Sequence, residues 1–92
     1  MSIKAGYQVV TTAAAVHGAG IPVVVYGVNT LTASSNTSLY NGKTGAGTDV
    51  EVVIAAGTIA GETVNFAGGI TFPKGCFADN TDATCTVIYK VV

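Results

Sequence analysis

Residues 76–92 read CFADNTDATCTVIYKVV, and how this stretch is divided decides the fold. Asp79-Asn80-Thr81-Asp82 is a run of turn formers between two segments rich in β-branched and aromatic residues, since Asp and Asn side chains bond nearby backbone and tolerate turns. The pattern predicts a hairpin turning about Asn80-Thr81, with strands at 76–78 and 83–92. In that hairpin Cys76 stands directly opposite Cys85. With a two-residue loop the cysteines form a non-hydrogen-bonded pair, close enough for a disulfide; a four-residue loop makes them a hydrogen-bonded pair, where a bridge is harder to form. The alternative is two reduced, buried cysteines acting as small hydrophobes, which a cytoplasmic origin favours.

Working back from this end, period-two alternation dominates. Residues 70–72 precede Pro73, which cannot donate to a ladder and so marks a break or an edge. Gly68-Gly69 is a compact hairpin signal after a strand at 62–67. Residues 57–61 read as a turn and 49–55 as a strand with Val50, Val52 and Ile54 inward. Residues 42–48, glycine-rich, read as an exposed loop after a short strand at 38–41, and 33–37 as a polar turn. Val23-Val24-Val25-Tyr26 is apolar on both faces, the mark of a central strand, and Gly27 predicts a bulge or a close backbone approach. Tyr7, Val9, Thr11 and Ala13 share one face of a first strand, which Ala13 to Val16 either continue or end in one helical turn. The expectation is an all-β fold, a single small antiparallel β-sandwich of seven to eight short strands, spanning 1–92 with a loose arm at 1–6.

Composition agrees. Thirteen threonines, fourteen valines, thirteen alanines and twelve glycines suit pleated sheets and tight turns. The chain is 49% hydrophobic, which excludes disorder, and only 10% charged, against about 25% in ordinary soluble domains. Lys4, Lys43, Lys74 and Lys90 are scattered, with no arginine, so no basic face for nucleic acid can form. A 92-residue chain buries roughly 60–65% of its unfolded surface, a marginal core that oligomerisation or a covalent staple commonly supports. So few charges also suit a surface meant to be covered by partners. No apolar segment reaches the length of a membrane helix, and residues 1–7 do not read as a secretory signal.

No motif indicates catalysis, a metal or a cofactor. His17 lies in a glycine-rich turn, and no serine occupies a nucleophile elbow. Cys76, Cys85 and His17 do not make a four-ligand zinc set. Asp79, Asn80 and Asp82 cluster oxygens at the predicted hairpin tip but lack the spacing of a calcium loop. Asp49 and Glu51 read as a solvated face. Gly42-Lys43-Thr44 ends like a phosphate loop, but Thr37 stands where the first glycine is required. Asn36-Thr37-Ser38 fits a glycosylation sequon.

Tyr26-Gly27-Val28, Leu39-Tyr40-Asn41-Gly42, Gly47 before an apolar strand, Val64-Asn65-Phe66, the run from Gly69 to Phe77 and the closing Thr86-Val87-Ile88-Tyr89 together resemble a group of small virion structural proteins of tailed bacteriophages. The resemblance covers residues 21–92. It implies a non-enzymatic capsid decoration, or cement, protein with a jelly-roll-like sandwich. Such a protein is assembled in the host cytoplasm, sits on the virion surface against the major capsid protein, and is often a trimer. Residues 1–20, which match less well, are where an arm touching the shell is expected. The alternative is a tail- or fibre-associated module for host glycan or receptor, with Tyr7 and Tyr40 as its exposed aromatic candidates.

Overall fold

The β-branched runs of the chain become strands, and the last of them organises the rest. In the computed structural model, residues 6–32, 36–44, 50–56, 61 and 63–92 are described. Among them are six antiparallel strands and no helix: β1 (Gly6–Ala15), β2 (Val23–Thr30), β3 (Asn36–Asn41), β4 (Val50–Ala56), β5 (Thr63–Phe72) and β6 (Cys76–Val91). They form one curled sheet, a half-barrel, in the order β4-β3-β6-β2-β5, with β1 on β6 as well.

The predicted C-terminal hairpin is absent: residues 76–91 run on as a single strand. Its first part pairs with β3, from Asn41↔Cys76 to Ser38↔Asp79, and its second part with β2, from Thr30↔Cys85 to Val23↔Val91. β1 accompanies both parts, from Ala15↔Phe77 to Gly6↔Tyr89. The turn formers do not reverse the chain. Residues 80–83 loop out of the ladder opposite Thr12, between the pairs Thr11↔Thr84 and Ala13↔Asp79. Two wings result, β3–β4 and β2–β5, joined through β6.

The loop-out changes which residues face inward. Before it, Cys76, Ala78 and Asn80 are buried; after it, Cys85 and Val87 are. Period two alone sends Cys76 and Cys85 to opposite faces, and the slip brings both inside. β2 shifts likewise at Tyr26, so that Val23 and Val25 are followed inward by Val28 and Thr30. Gly27 fits both sequence expectations there: it adjoins the bulge, and a Cβ on it would lie 2.8 Å from the Val64 carbonyl oxygen. One core contains residues of both wings: Leu39, Cys76 and Ala78 meet Val10, Val23, Val25, Val28, Phe72, Cys85 and Val87.

Gly68-Gly69 is also a loop-out rather than a hairpin. Both glycines have positive φ, 78° and 82°, as the turn signal requires. Yet β5 stays antiparallel to β2 on either side, with Val25↔Ile70 and Gly27↔Asn65 leaving Phe66 to Gly69 opposite Tyr26. Two anticipated chain reversals have thus become interruptions within strands, and the described residues form six strands where the sequence pattern predicted seven to eight.

Other boundaries move less. β1 continues to Ala15 instead of ending in a helical turn. Asn36 and Thr37 belong to β3, not to a polar turn. Gly42 is buried and donates to the Gly75 carbonyl at 3.0 Å, so the predicted exposed loop begins only at Lys43. β5 ends before Pro73, and among the described residues it pairs with β2 alone, the edge position that Pro73 indicated. The expected loose arm, apart from Gly6, lies outside the described residues, as do Asp49 and the side chains of Val50, Val52 and Ile54.

Candidate functional site

Cys76 and Cys85 are both buried and both free thiols. They do not face each other across a hairpin, because there is none. They share the core because of the β6 loop-out. Burial pushes the Cys76 thiol up to about 12, and the nearby Cys85 adds to the rise. Cys85 is raised too, first by burial, while hydrogen bonding with Asn80 and Thr37 pulls the other way. A thiol held protonated in an apolar interior is a poor nucleophile.

Beside Cys85 lies a buried polar network that sequence reasoning placed elsewhere. Asn80, expected at an exposed hairpin tip, points inward. Its Nδ2 donates to the Val10 carbonyl at 2.7 Å, and its Oδ1 accepts from Thr37 Oγ1 at 3.0 Å. β1, β3 and β6 are thereby tied at the point where β6 leaves its ladder. Every buried side-chain polar atom among the described residues has a partner. Asn80 is therefore a staple for the loop-out. Asn80 is thus turned inward rather than to the exposed tip predicted for the Asp79-Asn80-Asp82 oxygens, and the Asp82 side chain lies outside the described residues. No group of three or more His, Cys, Asp and Glu is placed to hold a metal ion among the described residues.

His17 is exposed with a positive φ of 65°. Its Nδ1 lies 2.9 Å from Tyr89 Oη, and the two rings are tilted at 56° with centroids 5.6 Å apart. Its N–H donates to Gln8 Oε1 at 2.7 Å, while Gln8 Nε2 donates to the Ala15 carbonyl at 3.0 Å. The histidine is thus part of a clamped turn at the end of β1. Gln8, a lone polar residue within an alternating strand, carried no recognisable signal for this work. In the sequon, Thr37 is buried within β3 and its hydroxyl is engaged with Asn80. Of the two tyrosines expected at the surface, Tyr7 is 73% exposed and Tyr40 is half-buried. The side chain of Glu51 lies outside the described residues.

The most distinctive surface is the outer edge of β1. Thr84 O accepts from Leu31 and Thr32 N–H at 3.0 and 3.1 Å, and Thr84 N–H donates to Thr32 Oγ1 at 2.8 Å. Both backbone groups of Thr84 thus point away from β1, which makes Thr11↔Thr84 a non-hydrogen-bonded pair. By alternation, Tyr7, Val9 and Thr11 direct their N–H and C=O groups outward, away from β6. Their side chains are exposed as well, Val9 at 50%. From Ala5 to Gly42 the chain contains no Asp, Glu, Lys or Arg, so this edge carries no charge.

Compared with protein-family models, curated proteins and solved structures, the chain finds no significant match.

Proposed function

We propose that this chain is a non-enzymatic structural protein of a tailed-bacteriophage virion, a capsid decoration protein that binds the outer shell as a symmetric oligomer and reinforces it. The observation that supports this reading best is the uncharged stretch from Ala5 to Gly42, whose β1 segment presents Tyr7 and Val9 to solvent. Such a surface meets a neighbouring protein without desolvating charges. The two wings joined through β6 are read here as the leaves of a small jelly-roll-like sandwich. Repetition over a symmetric shell then multiplies modest contacts into durable attachment. The resemblance of residues 21–92 to small virion proteins points the same way.

The test is position and copy number in purified particles, by quantitative mass spectrometry and electron cryomicroscopy. A copy number comparable with the major capsid protein supports decoration; a few copies per particle place the chain in a tail or at a vertex. The high exposure of Tyr7 favours one second reading, a host-glycan or receptor module of the tail or fibre. Saturable binding of the isolated protein to a glycan array, with no binding to purified shells, selects that reading instead.

A further inference from the structure

Sheet edges invite pairing with other chains, and proteins ordinarily blunt them with charges, prolines, bulges or covering groups. Three of the edges in this fold carry such devices. The β5 edge is interrupted by the loop-out at Phe66 to Gly69. β4, which pairs only with β3 among the described residues, contains Glu51. β1 beyond Thr12 is covered by a side chain: Val16 N–H donates to the Cys76 carbonyl, which turns the backbone groups of Ala15 outward, and Gln8 takes the Ala15 carbonyl and the His17 N–H. Residues 6–11 have none of these among the described residues. They contain no charge and no proline, and no loop-out precedes the positive-φ residue Thr12 that ends the segment.

We infer that the edge formed by Tyr7, Val9 and Thr11 is a self-association site that pairs antiparallel with the same edge of a second copy of this chain. A two-fold axis through Val9 sets Val9 opposite Val9 and Tyr7 opposite Thr11. Each of these is then a hydrogen-bonded pair that exchanges two N–H···O=C bonds, and all six outward groups of each copy find partners. The axis keeps both sets of exposed side chains on one face, where the two Tyr7–Val9–Thr11 rows lie side by side. The occupant is a second copy because the edge is self-complementary in this register and has no charge for its own image to repel. The two-fold pairing closes a dimer, whereas the virion resemblance implies a trimer, so the pairing belongs to the free chain and stands or falls without a shell.

Sedimentation velocity on the full chain over about a hundredfold range of concentration tests it. The expected result is a concentration-dependent dimer. Val9→Lys, which sets two ammonium groups against each other on the axis, weakens dimerisation at least about tenfold. Val9→Pro removes an N–H that β6 does not use and has the same effect. Asn65→Lys, exposed on the β5 edge, leaves the dimer intact. Hydrogen exchange supplies the site: the amides of Tyr7, Val9 and Thr11 gain protection with concentration. A monomer at every concentration, or an oligomer indifferent to both Val9 variants while circular dichroism shows them folded, overturns the proposal. Binding of the same variants to purified shells is measured separately, so loss of the dimer and loss of the virion role are read independently.

Discussion

The two loop-outs make an instructive pair. Residues 66–69 of β5 and residues 80–83 of β6 each interrupt a strand opposite one residue, Tyr26 and Thr12 respectively. The first depends on backbone freedom: Gly68 and Gly69 are left-handed, and Gly69 leaves room for Val24 and Tyr26. The second contains no glycine, and a buried amide anchors it, with Asn80 holding β1 and β3. A loop-out can be stabilised by freedom at its own residues or by bonds to its neighbours, and these two regions depend on opposite choices.

Breaking the anchor has the largest effect. Asn80→Ala removes the bonds to Val10, Thr37 and Cys85 and leaves the Thr37 hydroxyl without its acceptor, costing about 3 kcal/mol in urea denaturation. On the other side, Gly69→Ala combines a φ of 82° with a Cβ 2.5 Å from Val24 Cγ1, and costs about 2 kcal/mol. Alkaline pH separates the two regions without mutation. Cys76 ionises near 9 when unfolded and near 12 when folded, so its contribution is complete below pH 9 and fades as pH rises toward 12. The slope is about 1.4 kcal/mol per pH unit for one proton; denaturation across that range shows it, and Cys76→Ala reduces it. Gly68→Ala, at φ 78° with open space around it, isolates the backbone cost at about 1 kcal/mol. The smallest change is a gain. Thr12 is an exposed, β-branched residue at φ 66°, and Thr12→Gly relieves that strain for about 0.5–1 kcal/mol of added stability, measured as a shift in denaturation midpoint.

This contrast also explains which parts of the fold were legible in the residues. The apolar and alternating runs marked segments of each strand, because that pattern needs only local information, but they split β5 and β6 in two and left Asn36 and Thr37 in a turn. Gly27 announced its bulge and Pro73 the end of β5 for the same reason. Gly68-Gly69 and Asp79-Asn80-Thr81-Asp82 correctly announced local turning, but whether a turn reverses the chain or only leaves the ladder depends on which strand runs alongside. For β5 that strand is β2, and for β6 it is β1, far away in sequence. The cysteines were misplaced along with the hairpin, since a spacing of nine puts them on one face only after the slip. At β1 only the exposure of Tyr7 was read in advance; the open edge it shares with Val9 and Thr11 follows from where β1 docks on β6, and the protection beyond Thr12 rests on Gln8, whose partners are set by the curl of the sheet.

The position of β6 governs the order in which the chain can fold. β1, β2 and β3 all border it, and the first strand meets the last through Gly6↔Tyr89. On the ribosome, β3 can pair with β4 and β2 with β5 before residues 76–91 emerge, but β1, which among the described residues pairs with β6 alone, has no neighbour until then. Pairings so distant in sequence close slowly, in milliseconds to seconds for folds of this kind. Throughout that interval the uncharged β1 waits unpaired, which makes the nascent chain, more than the finished protein, the form most exposed to aggregation and most dependent on chaperones.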